Sequence, residues 1–134
     1  IKVRIAENNT SPQKATAYIA ATNEHLIVNE RGRFEYTEKP TDMVFRPSID
    51  ILFSSLSKNS YFKGMAFLMA NTCEDGFEGL LQLKNKGWQT ILINHNNNAK
   101  ATKSALSQSI ASKVHILSDI PRILIDNSLK LIKS

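Results

Sequence analysis

The chain has 134 residues, of which 42% are hydrophobic and 22% charged, so it has the size and composition of one folded domain and global disorder is excluded. Its longest apolar run, Met65–Ala70, is too short to span a bilayer, and its single cysteine, Cys73, excludes an intramolecular disulfide and a cysteine-rich zinc site. The net charge of +5 is spread over both halves without a stripe of basic residues, so nucleic-acid binding is not expected. A single cysteine that can form no intramolecular disulfide favours a reducing, cytoplasmic location.

Short strands joined by turns are predicted for the N-terminal part of the chain. The apolar runs 18–21 and 25–28 are separated by three polar residues, a spacing that predicts a hairpin between the two runs. A turn then precedes residues 34–37, whose alternation is typical of an edge strand.

A helix is predicted to begin after Ser48, a residue type that caps helix N-termini well. Asp50 suits its first turn, where the helix dipole favours negative charge. Residues spaced as one helical face give it a buried side: Ile49, Leu52, Phe53 and Leu56.

Strands and helices alternate from this point onward. Buried strands are predicted at 65–70, 88–93 and 114–117, and helices at 77–83 and 99–112. A last helix is capped by Ser118 or Asp119, has Pro121 in its first turn, and buries Ile120, Ile123, Leu124 and Leu131.

This alternation predicts an α/β fold: a mostly parallel, doubly wound sheet flanked by helices, preceded by a β-hairpin region. Sites in such folds form beyond the C-terminal ends of the strands. The loops at 71–76 and 94–98 occupy those positions.

The first of these loops holds the most informative residues, Thr72-Cys73-Glu74-Asp75-Gly76. A carboxylate between a buried strand and a helix can orient a histidine, as in hydrolase triads. The alternative is that Glu74 and Asp75 cap the helix that follows, and spacing alone favours this alternative.

Other chemistry-bearing residues do not form a recognisable constellation. The histidines His25, His95 and His115 lie in separate segments, so no metal site is predicted. Of the three, His95 is the best functional candidate, because it lies in a strand-end loop, but the interpretation as a solvated loop histidine is favoured over a functional one. Cys73 is interpreted as a structural thiol rather than a nucleophile.

Several motifs nevertheless follow one another in a specific order. They are Tyr18-Ile19-Ala20, then His25-Leu26, then Arg46-Pro47-Ser48-Ile49-Asp50-Ile51-Leu52-Phe53, then Glu74-Asp75-Gly76 followed by Gly79-Leu80-Leu81. Together they resemble the catalytic domain of chemotaxis protein-glutamate methylesterases (CheB-type). The resemblance covers essentially the whole chain. It implies hydrolysis of γ-glutamyl methyl esters on chemoreceptors, with glutamine deamidation as a related activity, by a serine–histidine–aspartate triad without a cofactor or metal.

The resemblance also assigns individual residues. Asp75 matches the aspartate of the triad, which orients the histidine, and Thr72 matches a position whose main-chain amide helps to form the oxyanion hole. Departures accompany these matches, because Asn71-Thr72-Cys73 stands where the family has Gly-Met-Gly. The family's serine turn and triad histidine belong upstream of Ile1, so residues 1–134 are expected to be a single methylesterase-like domain that lacks this segment.

Two functional hypotheses are favoured over a third and weaker one, nucleic-acid binding through the basic surface. In the first, the parent protein is a methylesterase of receptor adaptation, although residues 1–134 alone are inactive. In the second, it is a non-catalytic, degenerate relative that serves as a binding or regulatory module in two-component signalling. Both imply a chemoreceptor or another signalling protein as partner, and a fused receiver or kinase domain is compatible with either.

Overall fold

A computed structural model describes residues 1–70, 75–94 and 113–133. The strands within these residues are β1 (Lys2–Ile5), β2 (Thr16–Ile19), β3 (His25–Val28), β4 (Phe34–Thr37), β5 (Met65–Ala70), β6 (Gln89–Asn94) and β7 (Lys113–His115). The helices are α1 (Ile49–Lys58), α2 (Phe77–Asn85) and α3 (Ile120–Lys133), with a 3₁₀ turn at Leu117–Asp119 before α3. In this part of the chain, no helix is long and apolar enough to cross a membrane.

A parallel sheet in the order β5-β6-β7 forms the centre of the fold, and it confirms the predicted α/β class. Alternate residues of its strands face opposite layers. Leu68 and Leu92 pack with Leu80 and Leu83 of α2, against which α1 also packs. Ile91 and its strand neighbours pack on the other side against α3. These two layers explain most of the apolar run that predicted a doubly buried strand, but the predicted burial fails at Met69, which is 55% exposed.

The N-terminal region contains a hairpin, but the predicted pairing of 18–21 with 25–28 is wrong. β3 pairs antiparallel with β4, whereas β2 pairs in parallel with β1. The side chain of Asn29 explains why β3 pairs with the strand that follows it. Its Oδ1 accepts hydrogen bonds from the N–H groups of Arg31 and Arg33, which closes the turn between β3 and β4. Gly32 supplies the left-handed conformation that this turn needs, with φ of 74°.

One face of the β1–β2 pair is apolar and exposed. In the parallel register Val3 lies opposite Ala17, and Ile5 lies opposite Ile19. Val3, Ile5 and Ile19 keep more than half of their surface accessible, at 65%, 57% and 53%. This sheet therefore carries an uncovered apolar surface.

Helix α3 begins where the sequence predicts and holds Pro121 in its first turn. Ile120 and Ile123 pack against the sheet. Asn127 also contacts it, since its Nδ2 lies 3.0 Å from the Sδ of Met65 in β5. Leu124 is 45% exposed, so its predicted burial is wrong. One residue beyond Ile123 is a rotation of about 100° around the helix, which turns Leu124 away from the sheet. The predicted helix at 99–112 lies outside the described residues.

Helices α1 and α2 approach each other closely at Gly79. A Cβ at this position would lie 2.6 Å from the Cβ of Phe53 and 3.1 Å from the backbone oxygen of Asp50. Because both neighbours belong to the body of α1, the clash cannot be relieved by rotating a side chain.

We expect Gly79→Ala to lower the free energy of unfolding by about 1–2 kcal/mol, since overpacking against a backbone outweighs the gain in helix propensity. Gly64→Ala is the matched control, because its Cβ would meet only Trp88, at 3.6 Å. Urea unfolding of both variants measures the difference. Equal midpoints for Gly79→Ala and the wild type would contradict the close contact.

Candidate functional site

Asp75 lies beyond the C-terminal end of β5, where sites form in open parallel sheets. Its half-buried carboxylate accepts three hydrogen bonds. The Ser48 hydroxyl and the Asp50 N–H donate to Oδ1 at 2.8 and 3.1 Å, and the Ile49 N–H donates to Oδ2 at 2.7 Å. All three donors belong to the N-terminus of α1, so Asp75 is a cap of that helix.

The N-terminus of α1 has four backbone amides to satisfy, as every helix does. The first two donate to Asp75. Ile51 donates to the Ser48 hydroxyl oxygen at 3.4 Å, and the fourth amide, that of Ser48 itself, donates to Nδ1 of His25 at 3.1 Å. Ser48 thus acts as the predicted N-cap, and a carboxylate 27 positions further along the chain completes the cap.

The two helices are capped reciprocally. The first-turn amide of Gly79 in α2 donates to Oδ1 of Asp50 in α1 at 2.7 Å. The residue before α2, Gly76, has φ of 104° and makes no side-chain cap. The alternative that Asp75 caps the helix after it is therefore wrong: Asp75 caps α1, and Asp50 serves α2.

Counting donors from residues 1–70, 75–94 and 113–133 only, the Asp75 carboxylate has room for one more. An ionised carboxylate offers about four lone-pair positions, two on each oxygen. Oδ1 accepts two hydrogen bonds and Oδ2 accepts one, all from α1. The remaining position on Oδ2 suits an N–H group such as that of an imidazole ring.

His25 joins this cluster, although the sequence analysis gave it no role in the site. Its side chain is completely buried. The Ser48 N–H donates to its Nδ1 at 3.1 Å, and its Nε2 lies 3.0 Å from the carbonyl oxygen of Pro40. The sequence does contain a signal for this role: a histidine at the start of an apolar strand. Such a side chain is expected to be buried, and a buried polar side chain needs hydrogen-bond partners.

The other predicted site residues are not described. Thr72, Cys73, Glu74 and His95 lie outside the described ranges, so the oxyanion position at Thr72 stays a prediction. Within residues 1–70, 75–94 and 113–133, no group of three His, Cys, Asp or Glu side chains could hold a metal ion.

Comparison with known proteins places this geometry in a family. A model of the CheB methylesterase family matches residues 1–124. The chain belongs to the CheB methylesterase family. Protein-glutamate methylesterase/protein-glutamine glutaminase 2 of Cupriavidus metallidurans is 32% identical over 127 residues, covering 92% of this chain and 38% of the relative. Protein-glutamate methylesterase/protein-glutamine glutaminase 1 of Pseudomonas fluorescens is 33% identical over 129 residues, with the same two coverages.

A solved structure of the same family has the same fold. The CheB methylesterase catalytic domain of Thermotoga maritima superposes with a TM-score of 0.76 at 22% identity, covering 90% of this chain and 67% of that domain. The chain thus spans 38% of the length of these two curated CheB relatives and two thirds of the solved CheB domain.

We expect Ser48→Ala to lower the free energy of unfolding by about 1–2 kcal/mol, because the variant loses both the N-cap and a hydrogen bond to Asp75. Ser60→Ala is the control, since Ser60 is exposed and its hydroxyl makes no hydrogen bond to the described residues. Urea unfolding compares the two. Identical losses for both serines would show that the cap does not contribute.

Proposed function

We propose that this chain is the aspartate-bearing part of a protein-glutamate methylesterase catalytic domain. In the intact protein, this domain would hydrolyse γ-glutamyl methyl esters of chemoreceptors, with deamidation of glutamine as a second activity. The observation that carries the proposal is the carboxylate of Asp75, fixed beyond the end of β5 with one position on Oδ2 to which no donor of the described residues is bonded.

Asp75 would receive the N–H of the catalytic imidazole at that position. In a serine–histidine–aspartate triad, the aspartate holds the histidine in the right tautomer and stabilises the imidazolium that forms when the serine loses its proton. The bonds from α1 support this role, because they fix the carboxylate before substrate arrives and place it at the positive end of the helix dipole. No cofactor is needed for this chemistry.

The serine and the histidine would come from polypeptide outside residues 1–134. The main-chain amide of Thr72 would be one donor of the oxyanion hole, as the resemblance implies. A chemoreceptor or another signalling protein would be the partner, a receiver or kinase domain would accompany the chain, and the location would be cytoplasmic. The relatives named above support this assignment, since both are called protein-glutamate methylesterases.

A non-catalytic relative is the second candidate, and one observation favours it. Asn71-Thr72-Cys73 replaces the family's Gly-Met-Gly, and these glycines allow backbone conformations that other residues adopt rarely. Such a protein would keep the fold and act as a binding or regulatory module in two-component signalling.

Asp75→Asn in the intact protein tests the catalytic role. We expect kcat/KM for methyl-ester hydrolysis to fall by about 10²- to 10⁴-fold, because asparagine cannot stabilise the imidazolium. The measurement is release of methanol from methylated chemoreceptor. Asp126→Asn is the control, since Asp126 is exposed on α3.

Urea unfolding must accompany the kinetics, because Asp75 also caps α1. A folded Asp75→Asn variant with wild-type turnover would reject the triad assignment. A folded wild-type protein that releases no methanol would instead establish the non-catalytic candidate.

Residues 1–134 alone are expected to release no methanol from the same receptor. The sequence contains neither the Gly-Ala-Ser-Thr-Gly-Gly turn nor the Gln-His-Met pattern that carry the family's serine and histidine. Turnover by the purified chain above the uncatalysed rate would require a different nucleophile and would overturn the proposed division of the triad.

A further inference from the structure

We propose that His25 is a positioning residue for Asp75, acting through the backbone of Ser48. The kinetic part of this inference rests on the proposed function; the structural part does not. His25 is a buried ionisable side chain to which the triad mechanism gives no task.

The hydrogen bonds of His25 define its tautomer. A backbone N–H can only donate, so the bond from Ser48 requires Nδ1 without a proton. A carbonyl oxygen can only accept, so the bond to Pro40 requires a proton on Nε2. His25 is therefore a neutral imidazole that accepts from the start of α1 on one side and donates to the 38–47 loop on the other.

The Ser48 amide needs this acceptor. Ser48 has extended backbone angles, φ −98° and ψ 133°, so its N–H lies outside the hydrogen-bond ladder of α1. The residue is only 3% exposed, so water cannot replace a missing partner. By holding this amide, His25 fixes the peptide from which the Ser48 hydroxyl and the next two amides reach Asp75.

Strand β3 holds His25 in place. Leu26 and Val28 of this strand pack in the same apolar cluster as Leu52 and Leu56 of α1. The Val28 N–H also donates to the Ser55 hydroxyl at 3.0 Å.

Strand β3 and helix α1 are thus joined by two hydrogen bonds, one between His25 and Ser48 and one between Val28 and Ser55. Three residues of strand and seven residues of helix each advance about 10 Å. The distance from His25 to Val28 along the strand therefore matches the distance from Ser48 to Ser55 along the helix. Because of this match, the Val28–Ser55 hydrogen bond and the His25–Ser48 hydrogen bond form together.

If His25 had only a structural role, the important bond would be the one from its Nε2 to the Pro40 carbonyl, which anchors the loop before α1. Two substitutions separate these roles. In His25→Asn the amide oxygen replaces Nδ1 and keeps the acceptor for Ser48. In His25→Gln the amide nitrogen replaces Nε2 and keeps the donor to Pro40. Each variant retains one of the two buried hydrogen bonds, so each is the other's matched control.

The structural measurement is hydrogen exchange of the Ile49 and Asp50 amides in residues 1–134, followed by NMR. The Leu92 amide in the central sheet is the reference for global unfolding. Relative to this reference, we expect protection to be kept in His25→Asn and to fall about tenfold or more in His25→Gln, because local opening of the α1 cap becomes easier. The opposite order, or equal losses in both variants, would overturn the proposal.

A measurement on the wild-type chain covers the case in which either variant fails to fold. The nitrogen resonances of His25 identify its tautomer directly. We expect a neutral ring with the proton on Nε2; a proton on Nδ1 would exclude the bond from Ser48 and overturn the proposal.

In the intact protein, kcat for methanol release should follow the same order, with His25→Asn closer to the wild type than His25→Gln and with KM unchanged. If the wild-type protein is inactive, the proposed function fails, while the exchange experiment still decides whether His25 positions Asp75. If the wild type is active and the two variants have equal kcat, the proposal fails and the proposed function stands.

Discussion

The capping of α1 by Asp75 is the interaction on which the candidate site depends. A helix N-terminus presents unsatisfied amides and a positive dipole, and a carboxylate meets both needs. Here the carboxylate arrives from the loop after β5 and takes the amides of Ile49 and Asp50 together with the Ser48 hydroxyl. The same bonds hold Asp75 where one lone pair of Oδ2 accepts no donor from the described residues. Capping of α1 therefore also fixes the position of this carboxylate.

The reciprocal cap explains why α1 and α2 pack so closely. Asp50 reaches the Gly79 amide at 2.7 Å only because Gly79 has no side chain to hold the helices apart. Asp75, which lies just before α2, accepts two amides of α1, and Asp50 of α1 accepts one amide of α2 at the same junction. The β3–α1 pair adds a third member through His25, so strand, helix and loop fix one another around Ser48.

Local patterns predicted the elements well. The Ser48 cap of α1 and the strands β5 and β6 follow from residues a few positions apart, and the structure agrees. The predicted burial of Ile49 on the apolar face of α1 is wrong, because this side chain is 40% exposed at the helix start. Pairings over longer distances were not accessible in this way. The partner of β3 was misassigned because the Asn29 turn closes a different hairpin. The cap formed by Asp75 was assigned to the wrong helix, because spacing reveals only caps that are local in sequence.

The helix-capping role of Asp75 affects how sequences of this family are interpreted. An aspartate that serves catalysis alone would be free to drift once catalysis is lost. At this position its replacement also removes three hydrogen bonds from the start of α1, so selection for folding alone retains it. A family member can therefore keep this aspartate long after its nucleophile has gone. Its presence marks a foldable domain, whereas activity must be diagnosed from the serine and the histidine.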